Sequence, residues 1–370
     1  MAYAVPFVDA RLHYALHKED IDAAIFDCLS NGDMIYRHHL KDFEEHLAAY
    51  VGTKYAVGLN SGYHALAFAL MGAGIKAGDE VITVAHTFVA TVSAIVHVGA
   101  KPVFIDVSED YNMDLDQLEA AITSQTRAIL PVHLNGRVCN MDRLMSIADK
   151  HGLLVIEDAA QALGGRYGDK RGGSFGIAGC FSFYPFKTLG GFGDGGAITT
   201  NDEDMAMFAR RIRFNGEDRE TGEYHHHGYT ALLDNVQAAV LDVKLTKHFD
   251  RWIRHRRDMA ERYHQGLKGV GDLRLPHFAD SKNWDNYQNY VIRTKHRESL
   301  RAFLKESSVE TLVHWARPMW EHKGLELGTP NLPESLAISN EVISLPMSAE
   351  LKPEHVDIVV EKIKDFFQQG

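Results

Sequence analysis

The stretch FSFYPFKTLGGFGDGGAITTND, residues 181–202, places one lysine between an aromatic, strand-like segment and a loop rich in glycine. Phe181, Phe183 and Phe186 are unusual neighbours for a solvated lysine, and the glycines allow a backbone or a ligand to approach closely. A lysine that is partly removed from water has a lowered pKa and becomes nucleophilic toward carbonyl groups. Lys187 is therefore predicted to be a functional amine, and a lysine on a surface turn is the ordinary alternative.

Short apolar runs alternate with helical patterns before and after this lysine. The runs predict strands buried on both faces, namely YAVGL (55–59), VITV (81–84), PVFIDV (102–107), AILPVHL (128–134) and LLVIED (153–158). Helices are predicted near 62–74, 87–98, 114–123 and 140–151. This alternation predicts an α/β fold with a mostly parallel sheet between helices. Ligands of such sheets bind beyond the carboxyl ends of the strands, where NSGYH (60–64), AHTF (85–88), HLNGR (133–137) and EDAAQ (157–161) are placed.

The pattern changes after about residue 235, which indicates a second domain. A long charged helical stretch covers 234–267, and a strand-like YQNYVIRT follows at 287–294. A helix near 298–306 and an amphipathic segment at 353–367 complete the chain. We therefore expect a large domain over residues 1–245 and a smaller C-terminal α+β domain over 246–370.

Composition excludes several classes of function. The net charge of −11 opposes general binding to nucleic acid or to an anionic membrane, because both require a basic surface. The N-terminus lacks the basic start and apolar run of a signal peptide. Residues 81–100 carry no Asp, Glu, Lys or Arg, but His86 and His97 interrupt them, which favours a buried strand and helix over a membrane span.

Cysteine and histidine usage predicts neither disulfides nor a metal site. Three cysteines without metal-ligand spacing indicate reduced thiols, so a cytoplasmic location is expected. Adjacent side chains in the run HHH at 225–227 point in opposite directions on an extended chain, which opposes metal ligation. A loop that borders the substrate, with one of these histidines in contact, is the alternative.

Four features together match the requirements of pyridoxal 5'-phosphate. Asp158 ends an apolar strand, where an aspartate is either paired or holds a cation. Lys187 supplies an amine, a helix start at Asn60–Gly62 offers backbone N–H groups to an anion, and Phe88 offers a flat face. Each feature alone has an ordinary structural explanation, as a structural carboxylate, a plain N-cap or a core aromatic. Their joint order along one sheet favours the cofactor.

On these residues the chain resembles the DegT/StrS-type sugar aminotransferases, a family of fold-type I pyridoxal-phosphate enzymes. The resemblance rests on motifs in the family's order: VPFVDAR (5–11), FEEHLAAYVGTKYAVGLNSG (43–62), AGDEVITVAHTFVAT (77–91), FIDV (104–107), PVHLNG (131–136), IEDAAQALGG (156–165), GSFG (173–176), FSFYPFKTLGGFGDGGAITTND (181–202) and SLPM (344–347). It implies a fold-type I transferase and a homodimer with shared active sites.

The resemblance assigns roles to the candidate residues. It implies that Lys187 carries the cofactor covalently and later moves a proton between cofactor and substrate carbons. Asp158 would keep the pyridine nitrogen protonated, Gln161 would hydrogen-bond the ring oxygen, and Phe88 would stack on the ring. The phosphate would be held by Ser182 and the amides of Gly62 and Tyr63, with Thr230 in the partner-chain segment 228–237. Relatives that replace the lysine with histidine are dehydratases, so Lys187 argues against that branch.

The chain departs from the family pattern at several positions near the expected substrate. Relatives commonly read GYN with an arginine two residues on, whereas GYTALLDNVQAAVL has Thr230 and Leu232. Asn135 replaces a tyrosine, Tyr63 replaces the threonine of SGT, and Leu163 replaces a histidine. Another cation is expected to replace the missing arginine, and the substrate-side candidates are Arg37, Arg137, His226, His314 and Arg317.

The resemblance implies transfer of an amino group, with L-glutamate as donor, to a keto-sugar that is usually nucleotide-linked. Pyridoxamine 5'-phosphate would be the intermediate form of the cofactor, and the product would serve lipopolysaccharide, O-antigen or related sugar biosynthesis. The divergent pocket residues motivate a keto-sugar acid, such as an 8-keto-3-deoxyoctulosonate, as the alternative acceptor. A catalytically silent sensor or regulatory protein that kept the fold is the second alternative.

Overall fold

The computed structural model describes residues 3–278 and 281–368. The helices are α1 Ala10–Ser30, α2 His38–Val51, α3 Gly62–Gly72, α4 Val89–His97, α5 Leu115–Leu118, α6 Met141–His151, α7 Glu203–Ile212, α8 Asn235–Lys247, α9 Phe249–Leu267, α10 Arg297–Glu306, α11 Pro333–Glu341 and α12 Pro353–Gln368. The strands are β1 Tyr55–Leu59, β2 Glu80–Val84, β3 Lys101–Ile105, β4 Thr126–Ile129, β5 Leu154–Asp158, β6 Arg166–Tyr167, β7 Lys170–Arg171, β8 Ala178–Ser182, β9 Gly196–Thr200, β10 Glu217–Asp218, β11 Glu223–Tyr224, β12 Asn283–Trp284, β13 Tyr290–Arg293 and β14 Val342–Leu345.

Seven strands form one central sheet in the order β1-β9-β8-β5-β4-β2-β3. The pairs from β3 to β8 are parallel, whereas β9 runs antiparallel to both β8 and β1. The α/β fold with a mostly parallel mixed sheet is thereby confirmed. The expectation that every strand is buried on both faces is wrong for β3, where Lys101 is exposed and residues 102–104 are half-buried. The reason is its place at the edge of the sheet, beside β2 only.

Helices cover both faces of this sheet and create two apolar cores. One core includes α3, whose Ala65, Leu66 and Phe68 are buried, together with residues of α4 and α7. The other core includes side chains of α2, α6, α8 and the first half of α9. Capping side chains fix where helices begin: Ser61 accepts a hydrogen bond from the amide of His64, and Asn140 from that of Arg143. Helix α3 therefore begins directly after β1, at the sheet edge where ligands bind.

The charged stretch 234–267 folds as two helices, α8 and α9, separated at His248. Phe249 and Ile253 at the start of α9 pack into the core of the large sheet, whereas Tyr263 and Leu267 pack into a third core. This third core also contains the antiparallel pair β13–β14 and helices α10 and α12. Val5 packs there as well, and its amide bonds the carbonyl of Ser308. The domain boundary at residue 245 stays a prediction, because α9 belongs to both cores.

The apolar stretch 81–100 forms most of β2, the loop after it, and α4. No helix in residues 3–278 or 281–368 combines the length and apolar character needed to cross a membrane.

Candidate active site

Lys187 lies in a turn that follows β8, where its backbone amide donates to the carbonyl of Tyr184 over 2.8 Å. The side chain is half-buried, between exposed Phe186 and buried Thr188. Burial lowers the pKa of Lys187 from 10.5 to about 8, and the negative charge of Asp158 acts in the opposite direction. A pKa of about 8 leaves roughly a quarter of the amine neutral at pH 7.5, so Lys187 is suited to attack a carbonyl carbon.

Asp158 is the last residue of β5, on the strand that pairs with β8, and is 6% exposed. Its Oδ2 accepts a hydrogen bond from Thr91 Oγ1 at 2.8 Å, and its Oδ1 accepts the amide of Ala160 at 3.2 Å. Burial raises the pKa of Asp158, while these bonds and the charge of Lys187 lower it. Thr91 in turn bonds Thr87 at 2.8 Å. The carboxylate is thus held by neutral donors and suited to pair with a cationic ring nitrogen.

Gln161 is fixed through its side-chain carbonyl. Oε1 accepts the backbone amide of Asn135 at 2.7 Å, which leaves the Nε2 donor available for a ligand oxygen. Asn135 has a φ of 57°, in the left-handed region that asparagine tolerates better than bulky residues. Its Oδ1 accepts a hydrogen bond from Asn289. Asparagine, where relatives have tyrosine, therefore suits the left-handed backbone conformation at residue 135 of this chain.

The start of α3 forms an anion cradle against the end of β8. A Cβ on Gly62 would lie 2.7 Å from the Cβ of Ser182, so only glycine allows this approach. The amide of His64 is capped by Ser61, whereas those of Gly62 and Tyr63 have no acceptor among the described residues. First-turn amides without acceptors attract anions. Ser182, the two amides and the helix dipole are therefore placed to hold a phosphate.

Aromatic residues border the same edge of the sheet. Phe88 is 60% exposed and lies at the N-cap of α4, so its side chain is accessible to a ligand. His86 is buried and packs edge-on against Trp315, in the loop between α10 and α11, with ring centroids 5.4 Å apart. Trp315 has a φ of 55°. The loop that carries it thus covers the site from the side of the C-terminal residues.

Gln288, which the sequence analysis did not single out, holds the backbone on both sides of Lys187. Its Oε1 accepts the amide of Thr188 at 2.8 Å, and its Nε2 donates to the carbonyl of Phe186 at 2.9 Å. Asn286 extends this link: its Nδ2 donates to the carbonyl of Gln161 at 2.9 Å. The only sequence signal was an amide-rich YQN run within a strand-like segment. One short segment therefore positions both Lys187 and Gln161.

A second buried network, also missed from the sequence, supports the strand that ends in Asp158. Glu157 accepts the amides of Gly173, Phe175 and Gly176 at 2.7–2.8 Å. His133 contacts the same carboxylate through Nε2 at 2.8 Å, and its Nδ1 accepts the amide of Cys139. These bonds tie the loop after β4 and the loop before β8 to β5.

The candidate substrate residues occupy different environments. His314 bonds Ser344 at 2.7 Å, and burial together with the charge of Lys187 lowers the pKa of His314 to about 4. Arg37 and Arg317 are exposed and form no ion pair with any described residue. Arg137 instead contacts the carboxylates of Asp110 and Asp285 at 3.4 and 2.9 Å. The structure thus brings His314 close to Lys187 and leaves Arg137 paired with two acidic groups.

The segment expected to reach a partner subunit, 228–237, alternates exposed and buried residues. Thr230 is exposed, and its hydroxyl donates to Asn215 at 3.0 Å, while Leu232 packs against the core. His226 is exposed, and its ring contacts Phe208. Tyr63 bonds His97 at 2.6 Å. The roles of these residues in the active site stay predictions.

These residues fit pyridoxal 5'-phosphate. A buried carboxylate held only by neutral donors, a cradle that a Cβ on Gly62 would fill, and an amine with a lowered pKa lie on neighbouring parts of one sheet. Asp158, Gln161, Phe88 and Lys187 would hold the ring, and the cradle would hold the phosphate.

The comparisons with known proteins agree with this fit. The family model described as the DegT/DnrJ/EryC1/StrS aminotransferase family matches residues 16–364. A pleiotropic regulatory protein of Geobacillus stearothermophilus is 41% identical, covering 98% of this chain and 99% of that protein. A dTDP-3-amino-3,4,6-trideoxy-alpha-D-glucose transaminase of Streptomyces venezuelae is 38% identical, covering 99% and 97%.

Solved structures extend the likeness to three dimensions and to the cofactor. The crystal structure of S. venezuelae DesV superimposes with a TM-score of 0.95 at 38% identity, covering 100% of this chain and 99% of that one. A putative sugar aminotransferase of Streptococcus pneumoniae, 26% identical with a TM-score of 0.90, was solved with the pyridoxamine form of the cofactor. A match over nearly the whole chain, joined to a site that fits the cofactor, shows that this chain belongs to the DegT/DnrJ/EryC1/StrS aminotransferase family and is a pyridoxal-phosphate-dependent aminotransferase.

Proposed function

We propose that this protein transfers an amino group from L-glutamate to a keto-sugar linked to a nucleotide, in the biosynthesis of cell-surface polysaccharide, lipopolysaccharide or O-antigen sugars. The observation that carries the proposal is the arrangement of Lys187, in the turn after β8, and Asp158, at the end of the adjacent strand β5, beside an anion cradle. The names of several relatives support the substrate class, since they include transaminases of dTDP-linked and UDP-linked amino sugars.

Each residue of the site has a definable task in such a reaction. When bound, pyridoxal 5'-phosphate supplies an electron-withdrawing ring that stabilises negative charge on the carbon beside the transferred amino group. Asp158 would stabilise a proton on the ring nitrogen of the bound cofactor, because a carboxylate favours a neighbouring cation. Lys187 Nζ, with its lowered pKa, takes up and returns a proton near neutral pH. Gln288 keeps that nitrogen in place by fixing the backbone on both sides.

The acceptor side offers cations to an anionic substrate. Arg37 and Arg317 are the candidate arginines that form no ion pair with a described residue, and both are exposed. A diphosphate or a carboxylate on the substrate would bind either of them through charge-assisted hydrogen bonds. A keto-sugar acid such as an 8-keto-3-deoxyoctulosonate is the second candidate acceptor, favoured by Asn135 and Thr230 where relatives differ.

We infer that the protein acts as a homodimer in which each subunit completes the other's site. Phe26, Met34 and Ile35 are 73%, 54% and 56% exposed on one stretch of the chain, and such apolar patches mark protein interfaces. The segment 228–237, which carries Thr230, is the part of the partner expected at the phosphate. A cytoplasmic location is proposed on the basis of the three free cysteines.

A half-reaction screen tests the substrate class. The protein is incubated with glutamate until the cofactor absorbance reports complete conversion to the amine form, and glutamate is then removed. Keto-sugars, nucleotide-linked and free, are added one at a time, and return of the original absorbance identifies the acceptor. Lys187→Ala serves as the control without turnover. Return only with keto-sugar acids would replace the nucleotide-linked acceptor by the second candidate, and failure of glutamate to convert the cofactor would refute the donor.

The same screen separates catalysis from a silent regulatory role. The name of the Geobacillus relative raises that role, whereas the complete set of Lys187, Asp158 and Gln161 supports catalysis. Full cofactor occupancy without conversion by any donor would favour the regulatory alternative.

A further inference from the structure

A second cluster of chemically active side chains lies apart from the residues of the active site. His13 and His17 are four residues apart on α1, which places their rings on one face of the helix. Glu350 reaches the same point from the turn before α12. One ligand atom from each of the three residues lies within 4.8 Å of those of the other two.

The surroundings remove two of the three residues, His17 and Glu350, from bulk water. His17 is 7% exposed and the side chain of Glu350 is 4% exposed. The rings of His248 and Trp252 flank His17, with centroids 4.5 and 5.0 Å from its own. Nε2 of His248 bonds the carboxylate of Asp20 at 2.8 Å, so this ring nitrogen already has a partner.

An ordinary ion pair explains only part of this arrangement. His13 Nδ1 contacts Glu350 Oε1, which pairs two of the three residues. The imidazole of His17 forms no hydrogen bond with another residue in 3–278 or 281–368, although the polar side chain of a buried residue normally finds a partner. An unpaired imidazole beside a second imidazole and a buried carboxylate is the donor set that zinc takes in sites with three protein ligands.

We propose that His13, His17 and Glu350 bind one divalent transition-metal ion of the zinc class, with the fourth coordination position left to water. The ligands come from α1 and from the turn between β14 and α12. A bound ion would therefore join the N-terminal helix to the C-terminal part of the chain, and it would stabilise the fold without touching the residues around Lys187.

Metal binding to the protein loaded with cofactor tests the site directly. The chain, without an affinity tag, is treated with EDTA, dialysed and titrated with ZnCl2 by calorimetry, and bound zinc is counted by elemental analysis. We expect one equivalent of zinc and a rise in the thermal midpoint. His17→Leu and Glu350→Gln should each weaken zinc binding by about 100-fold or more, since loss of a supporting partner alone costs 10–100-fold.

Control variants distinguish this site from other histidines. His46→Leu changes an exposed histidine that pairs with Asp242, and it should leave zinc affinity unchanged. Cofactor absorbance and circular dichroism establish that each variant is folded, and Glu350→Gln keeps the side-chain shape if His17→Leu does not fold. The proposal is overturned if no zinc binds. It is equally overturned if zinc binding persists in both ligand variants and disappears when His225–His227 or His38 and His39 are replaced by alanine.

Discussion

Gln288→Ala is expected to disturb the active site through the backbone that carries Lys187. The substitution removes the acceptor for the amide of Thr188 and the donor to the carbonyl of Phe186, at 2.8 and 2.9 Å. It leaves every group that would touch the cofactor unchanged. The effect on Lys187 therefore measures positioning alone.

The magnitude follows from the burial of the two abandoned groups. Thr188 is 8% exposed, so its amide loses a partner without gaining water, which costs about 1–3 kcal/mol. Phe186 is 51% exposed, so its carbonyl can be rehydrated at little cost. Loss of the buried Cγ methylene group adds about 0.8 kcal/mol. The free energy of unfolding should fall by about 2–4 kcal/mol.

Two measurements on the cofactor-free protein check the loss of stability and the displacement of Lys187. Urea unfolding followed by tryptophan fluorescence gives the change in stability. Trace acetylation at a series of pH values, read on the peptide that contains Lys187, gives the pKa of its amine. Loosening of the turn should admit water and move this pKa from about 8 toward its ordinary value of 10.5.

A matched control is Gln265→Ala, because Gln265 is exposed and its side chain bonds Glu261 on the same helix and no other described residue. This variant should change the free energy of unfolding by less than about 0.5 kcal/mol and leave the pKa of Lys187 unchanged. The positioning role fails if the two variants unfold alike, or if Gln288→Ala loses stability while the pKa of Lys187 stays unchanged.

Further predictions concern the groups of the site. Borohydride treatment of the yellow protein should fix the cofactor on the peptide containing Lys187, and Lys187→Ala should retain cofactor without covalent attachment; mass spectrometry that finds another lysine would contradict the assignment. Asp158→Asn should keep the fold and lower turnover by orders of magnitude, since an amide does not stabilise a protonated ring nitrogen as a carboxylate does, and near-normal turnover would show that the ring lies elsewhere. In the cofactor-free protein the pKa of Lys187 is about 8 in the folded chain and 10.5 in the unfolded chain, so the unfolded chain binds more protons between these values. Lys187 should therefore make the free energy of unfolding rise from about pH 8 to about pH 10.5, and calorimetric unfolding across that range measures the slope. Replacement of at least one candidate cation, with Arg317→Ala and Arg37→Ala tested first, should raise the Michaelis constant for the keto-sugar more than that for glutamate. Unchanged constants in these two variants, in Arg137→Ala and in single Ala variants of His225, His226 and His227 would remove the argument that a cation replaces the arginine missing at Leu232.

The order of strands and helices around the sheet was predictable because the apolar runs are short, β-branched and separated by helical periods. The strand Tyr55–Leu59 was predicted to the residue. The position of β3 at the sheet edge was not predictable, because edge and centre strands differ in their neighbours and not in their own pattern. The break at His248 carries no glycine or proline, so the charged stretch 234–267 gave no local signal for two helices.

The candidate site was predictable where a residue's own chemistry marks it, as with Lys187 and Asp158. Residues that act through distant contacts were missed. Gln288 is 101 residues after Lys187 and its hydrogen bonds run to backbone atoms, which no side-chain pattern reveals. Thr91 was missed because one hydroxyl in an apolar helix normally bonds its own backbone.

The two cores on opposite faces of the sheet also bear on the order in which the chain folds during synthesis. The buried residues of the core with α3 and α7 all lie between Val57 and Ala231, so this core is complete once about the first two thirds of the chain has emerged from the ribosome. The core on the opposite face of the sheet includes Ile338 and Val342. That face stays partly uncovered until nearly the whole chain has been made, which gives a nascent-chain chaperone a defined apolar surface to protect.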